Sequence, residues 1–287
     1  MVKLTKAVYE GYKMKIRHFT EKLIPFCLLT FCSLILHAGE REFKEIKRFN
    51  AAEARQGVAV DGKHVYVVGT REIGKYDKET GKRIAHWQEA ETGPIIHLDS
   101  GVIVDGKLYC AHSNYPGIPM TSSVEVWDAE TLKHIGSHSF GIHWGSCTWV
   151  DRHDGYWWAA FAHYEKLKPK SNKGTDWTTV VKFDDHWRYL ESWVFPEEVI
   201  QKFTPMSNSG GSWGPDGLLY CTGHDRAELY ALKLPKAGSV LELVDILPMN
   251  NLGQGIAWDR TQSGVIYGIR KKDRQVVVSK LINAKIE

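Results

Sequence analysis

The chain has 287 residues, 43% of them hydrophobic, with 37 Lys and Arg against 34 Asp and Glu and a formal charge of +3. That length sustains one large domain with a real core. Much of the positive charge lies early, in Lys3, Lys6, Lys13, Lys15, Arg17 and Lys22, so the remainder is close to neutral and no nucleic-acid partner is expected.

The first element in chain order is a leader. Basic residues precede an apolar run from Leu23 to Leu36, which ends at Leu36-His37-Ala38. A basic start, a short apolar middle and a small residue at the exit read as a secretory signal over residues 1–38. The run is shorter than the ~20 apolar residues of a spanning helix, and Pro25 interrupts it. Membrane contact is therefore expected only during export, and the mature protein, 39–287, is expected to be periplasmic or secreted. Cys110, Cys147 and Cys221 remain after the leader. With no Cys-x-x-Cys pair, they read as small buried hydrophobes rather than a thiolate zinc site.

Residues 42–49, EFKEIKRF, alternate apolar and polar as a strand does. A phrase then recurs five times: an apolar strand, a turn with Gly, and an apolar-aromatic return. The turns are Asp61-Gly62, Asp105-Gly106, Asp154-Gly155, Asp216-Gly217 and Ser263-Gly264. Asp-Gly between apolar runs predicts two-residue hairpin turns of type I′. A second phrase follows each first one: IGKYDKETGK, VEVWDAETLK, VVKFDDHWRY, then ELYALKLP and QVVVSKLI in the same slot. Four short strands per repeat, at a spacing of roughly 40–50 residues, are the signature of propeller blades. The fold class is all-β, a five-bladed β-propeller. The fifth repeat lacks its fourth strand, and residues 42–49 are placed to supply it and close the ring. The longer third interval carries a basic surface loop, 164–176, and a helical turn or two within 196–208 that starts at Pro196.

In each blade the segment before the inner strand and the loop between the second and third strands share one face. This gathers Gln56, His97, His143, Asn208 and Gln254 with Arg71, His112, His163, His224 and Arg270. His112, His163 and His224 follow corresponding apolar stretches and are expected around the ring axis. Two chemistries suit such imidazoles. One is a divalent transition metal (Mn, Fe or Zn) held by His97, His112, His163 and His224 with amide oxygens of Gln56 or Gln254. The other is acid–base catalysis by His112, His163 and His224 with Tyr115 as proton donor, and Arg71, Arg226 or Arg270 clamping a carboxylate. The substrate-binding set is completed by His143, Asn208 and Trp144, the last as an exposed platform for a sugar ring. Gly210 and Gly211, on the innermost strand, read as a response to crowding at the axis. His-Glu-x-x-His, Gly-x-Ser-x-Gly and calcium-loop patterns are absent.

The repeated aromatic-Asp-x-x-Thr turns resemble those of the quinoprotein-like and YVTN-type propeller superfamily. The stretches GPIIHLDSGVIVDGKLYCAHSNYPGIPM and NSGGSWGPDGLLYCTGHD resemble, more specifically, a group of exported bacterial proteins often labelled cycloisomerase. This resemblance spans nearly all of residues 50–283 and implies the propeller and its export. The muconate-lactonising propellers to which the label points are larger rings, so five blades depart from that pattern and the reaction is not carried over. Polysaccharide lyases built on propellers place similar residue types at the axial mouth. The resulting expectation is a monomeric exported enzyme of lyase, cycloisomerase or glycosidase-like type. Its substrate would be a small carboxylated, sugar-derived molecule or an oligosaccharide. The competing expectation is a non-catalytic propeller that binds a glycan or a protein partner.

Overall fold

The computed structural model describes residues 41–283; the leader expected over 1–38 lies outside them. Among the described residues, twenty strands form five antiparallel four-stranded sheets. Blade 1 is β2 (Gly57–Val60), β3 (His64–Val68), β4 (Glu72–Asp77) and β5 (Arg83–Gln88). Blade 2 is β6 (Leu98–Val104), β7 (Lys107–Ser113), β8 (Ser122–Asp128) and β9 (His134–Gly141). Blade 3 is β10 (Ser146–His153), β11 (Tyr156–Ala162), β12 (Thr179–Phe183) and β13 (Tyr189–Val194). Blade 4 is β14 (Gly210–Trp213), β15 (Leu219–Thr222), β16 (Glu228–Lys233) and β17 (Glu242–Pro248). Blade 5 is β18 (Ala257–Trp258), β19 (Val265–Arg270) and β20 (Gln275–Asn283), completed by β1 (Arg41–Asn50).

The ring closes as the alternation of residues 42–49 predicts. β1 pairs antiparallel with β20 from Arg41↔Asn283 to Asn50↔Gln275. Each blade buries both faces against its neighbours, and the core divides accordingly into five layers. Trp149, Trp158 and Trp193 of blade 3, for example, pack on Trp213, Leu219 and Tyr230 of blade 4. Val58, Val65 and Val67 of blade 1 pack on Tyr267, Val276 and Val278 of blade 5. No blade has a core of its own, so burial drives ring closure.

The turns are partly as predicted. Asp105-Gly106 and Asp154-Gly155 both have φ positive at both residues (48° and 72°; 49° and 78°), as a type I′ turn requires. At Asp61 the carboxylate instead accepts the backbone N–H groups of Lys63 and His64, each at 2.7 Å, in a longer turn. The Asp-x-x-Thr phrase also has a local cause. Asp77 Oδ1 accepts from Thr80 N (2.7 Å) and Thr80 Oγ1 (2.6 Å), and Asp128 does the same for Thr131.

The third-interval insertions contain α1 (Lys168–Ser171) and α2 (Glu197–Phe203). α2 starts after Pro196, carries Glu197 and Glu198 in its first turn, and buries Val199, Ile200 and Phe203 in the blade 3–4 layer. Cys110, Cys147 and Cys221 are buried and free.

Candidate active site at the axial mouth

Around Gly210 the inner strands approach so closely that no side chain fits. A Cβ on Gly210 would lie 2.5 Å from the Gln254 carbonyl oxygen and 2.8 Å from the Gly255 Cα. Gly210 therefore serves backbone crowding, as the sequence suggested. One end of the axis is plugged. Asp151 is buried there and accepts from Arg260 Nη2 (2.6 Å), Trp213 N (2.8 Å) and Ser212 Oγ (3.1 Å), tying blades 3, 4 and 5 together. The remaining axial space beside it is about 10 Å³, room for about one water.

The other end opens into a cavity of about 320 Å³, to which every blade contributes. Gln56 comes from blade 1, His97, Asp99 and Tyr115 from blade 2, and Thr148, Tyr164 and Lys166 from blade 3. Ser209 and His224 come from blade 4, Gln254 and Lys271 from blade 5, and Met206 from the segment leading into blade 4. Tyr115 stands between His97 (ring centroids 5.1 Å apart) and Tyr164 (4.8 Å), with the Lys166 ammonium 4.9 Å from its ring. Gln56 donates to Thr70 Oγ1 (3.2 Å) and Gln254 to the His224 carbonyl (3.0 Å), which leaves their amide oxygens as the free ends.

Asp99 is the unusual member. It is 7% exposed, and its Oδ2 is sealed without a hydrogen-bond partner. Its nearest basic group is His97 Nε2, 3.8 Å away and beyond hydrogen-bond reach. Burial pushes the Asp99 carboxyl well above the usual carboxylate range, against a smaller opposing effect of Lys271. Burial, with His112 and Lys271 nearby, pushes the His97 imidazole down to about 4. At neutral pH His97 is thus a neutral imidazole beside a carboxyl whose hold on its proton burial strengthens. Burial also lowers the Lys271 ammonium and raises the Tyr164 hydroxyl. The buried Thr148 hydroxyl is a second polar group without a partner in the same cavity.

The three matched histidines are separated. His112 lies one residue before the end of β7, His163 one residue beyond β11, and His224 two beyond β15. Each one-residue step turns a side chain to the other face. His112 points into the cleft between blades 1 and 2. There its Nε2 accepts from Ile96 N (3.1 Å), and its Nδ1 bonds Ser123, which in turn donates to Glu125. His163 is 4% exposed and donates from Nε2 to the Trp144 carbonyl (2.9 Å). A Cβ on Gly145 would meet that ring at 2.8 Å, and Gly145 has φ +122°. Burial holds the His163 imidazole down at about 4. Of the three, His224 alone lines the mouth, its Nδ1 paired with Asp225 at 2.6 Å.

The substrate-binding expectations need the same correction. Arg71 is spent on the Ala90, Glu91 and Gly93 carbonyls, Arg226 on the Lys202 carbonyl, and Arg270 on Asp273 and the Asn250 carbonyl. The cations at the mouth are Lys166 and Lys271 instead. His143 is exposed and outside the cavity. Trp144 is no open platform, because it packs on Phe161 and stacks on Tyr189. Asn208 is a fully buried brace, donating to the Gly210 and Thr222 carbonyls and accepting from Trp149 Nε1 (2.6 Å).

The metal expectation loses two of its four imidazoles by the same separation. Among the described residues, one set of His, Cys, Asp or Glu groups lies close enough to share an ion: Glu53, Glu72 and His86 on blade 1. Glu53 there already accepts from Tyr76 (2.5 Å) and pairs with Arg83 (2.7 Å).

Asp99 had a legible signal. It sits two residues from His97, the one acidic residue in the stretch IIHLDSGVIV, where an inner strand is otherwise expected to bury apolar side chains. Lys271 adjoins Arg270, and the expectation fell one residue short of it.

No protein-family model and no curated protein matches the sequence. Solved structures do resemble it. A luciferin-regenerating enzyme is 10% identical, over 86% of this chain and 97% of that one, with a TM-score of 0.50. The kinship is one of fold. The PQQ-bound aldose sugar dehydrogenase from Streptomyces coelicolor is 14% identical, over 81% and 80% of the two chains, at 0.47. The RRP9 WD40 repeats are 10% identical, over 84% and 100%, at 0.46. At 10% identity the likeness to the luciferin-regenerating enzyme carries the fold and no reaction.

Proposed function

We propose that the axial mouth is an acid–base site for a small carboxylated, sugar-derived molecule, and that the protein is an exported lyase or isomerase. Asp99 carries the reading: a buried carboxyl whose Oδ2 has no partner and whose hold on its proton burial strengthens, beside a neutral His97, in a cavity that every blade lines. Pairs of titratable groups whose surroundings push them apart are suited to proton transfer near neutral pH. In this reading the carboxylate form of Asp99, made more basic by burial, takes the proton from a carbon next to the substrate carboxylate, and the resulting carboxyl can return it. The His97 N–H bonds the oxygen on which charge develops, and Tyr115 or Tyr164 protonates the leaving oxygen. Lys166 favours an anion. The cavity volume is near the low end of the roughly 300–1,000 Å³ of ligand pockets, which suits one sugar-sized unit; an oligosaccharide would enter by its end. A divalent metal would find two imidazoles there, His97 and His224, with the amide oxygens of Gln56 and Gln254, a sparser set than the sequence suggested. The acid–base form is therefore the one retained.

The test is proton exchange. Wild-type protein in D₂O is incubated with uronates, aldonates and their lactones, and loss of the C–H signal next to the carboxyl is followed by NMR. Exchange that falls about a hundredfold or more in Asp99→Asn is expected. An unchanged rate in that variant would sink the reading.

A non-catalytic role is favoured by one separate feature. A groove of about 980 Å³ on the Asp-Gly-turn face is lined by Tyr156, Trp158, Trp213 and Trp258. It is larger than the mouth, but its charged groups are already paired: Arg260 with Asp151, Lys233 with Glu242, and Asp259 with Lys78. Glycans or peptides that bind without proton exchange, and lose binding in Tyr156→Ala, would favour this role.

A further inference from the structure

Half-buried Lys271 differs from the two buried lysines, Lys75 and Lys78. Lys75 pairs with Glu130 at 3.0 Å and Lys78 with Asp259 at 2.6 Å. Lys271 has no carboxylate within ion-pair distance among the described residues, although it lines a cavity closed at its far end. It occupies the turn between β19 and β20, flanked electrostatically by Arg55 and Arg274. Asp99 and His97 line the same cavity, and Asp225, paired with His224, acts on Lys271 electrostatically. Its half-buried setting, and after it the Arg55 and Arg274 guanidinium groups, favour the uncharged amine against a smaller opposing pull from Asp99 and Asp225; the uncharged amine is the form that attacks carbonyl carbon.

We propose that Lys271 is a nucleophilic amine that forms an imine with the carbonyl group of a small carboxylated aldehyde or ketone held in the mouth. The inference rests on the acid–base reading of Asp99 and narrows its substrate class to carbonyl compounds. The Nζ lone pair attacks the carbonyl carbon, the C=O π pair moves to oxygen, and a proton passes from nitrogen to that oxygen to give a carbinolamine. Asp99 then donates its proton to the hydroxyl. Water leaves as the nitrogen lone pair forms the C=N⁺ bond, and Asp99 is left as a carboxylate. That carboxylate is then the base for a proton on the neighbouring carbon, whose electron pair the iminium accepts. Hydrolysis of the imine reverses the sequence.

The test traps the imine. Full-length protein is incubated with pyruvate, or with glyceraldehyde as an uncharged carbonyl, then reduced with borohydride and mapped by peptide mass spectrometry. Reduction leaves the probe less one oxygen on the reacting nitrogen. Pyruvate is expected to label Lys271 at least about tenfold above the neighbouring exposed Lys272, the preference that capture in the cavity gives over an amine in open solvent. Lys271→Arg, which keeps the charge, is expected to remove that adduct while leaving the thermal midpoint within experimental error. Equal labelling of Lys271 and Lys272 would overturn the proposal. The two layers separate cleanly. Proton exchange that depends on Asp99 without any Lys271 adduct refutes the imine and keeps the acid–base site. A Lys271 adduct that forms at the wild-type rate in Asp99→Asn supports the imine and refutes the role of Asp99.

Discussion

Replacing Asp99 by Asn should make the protein more stable, increasingly so as pH rises. The carboxyl is buried and bonded to nothing, and its folded value lies above its unfolded one. Between those two values the native state binds more protons than the unfolded chain. Stability therefore falls as pH rises through that window, from the unfolded value near 3.9 upward, and levels off above the folded value. Each pH unit by which the carboxyl is displaced is about 1.4 kcal/mol, or roughly 3–5 °C in midpoint for a domain of this size. An amide has the shape of the protonated acid and no charge, so Asp99→Asn should match wild type near pH 4 and gain on it toward pH 8. The assay is urea unfolding of both proteins at closely spaced pH values, followed by tryptophan fluorescence. A difference that stays flat with pH would refute the argument. A variant that loses ground as pH rises would show instead that Asp99 is ionised and paired in the folded protein. The variant should also lose activity, the usual cost of removing a destabilising functional group.

Acid should unfold the protein through His97 and His163. Both imidazoles sit at about 4 when folded, so stability is present above the unfolded value near 6.5 and is lost as pH falls toward 4, by roughly 3 kcal/mol for each. His97→Gln should remove about half of that loss in urea titrations between those limits. Gly210→Ala drives a methyl group against the Gln254 carbonyl and Gly255; destabilisation of about 1–3 kcal/mol is expected, read as a lower denaturant midpoint. Asn208→Ala strips a buried amide from Trp149 and two carbonyls. A loss of about 2–4 kcal/mol by calorimetry is expected, with ligand affinity at the mouth unchanged.

The architecture was legible because its signals are local and repeated. Glycine turns, aromatic-Asp-x-x-Thr phrases and the lone alternating strand at residues 42–49 each have a backbone or burial cause that one chain displays on its own. The face of the site was legible for the same reason, since connectivity alone places Gln56, His97, Tyr115, His224 and Gln254 around one opening. What failed was the direction of individual side chains. His112 and His163 were lost to offsets of one or two residues at strand ends. Arg71, Arg226 and Arg270 reach nearby carbonyls or carboxylates, and nothing in their spacing shows this. The basic insertion at 164–176 reads as surface, and most of it is. Yet Tyr164 and Lys166 at its start border the mouth, because the chain turns inward before it turns out.

The pairing of β1 with β20 joins residues some 225 positions apart. Contacts so distant along the chain are slow to form, and this one must wait for the final strand to exist. Until then the opening strand has no partner, and the flank of the last blade stays bare. The two ends thus act as a clasp that fastens only a finished polypeptide, so a chain cut short anywhere before β20 forfeits the circle as well as the missing piece.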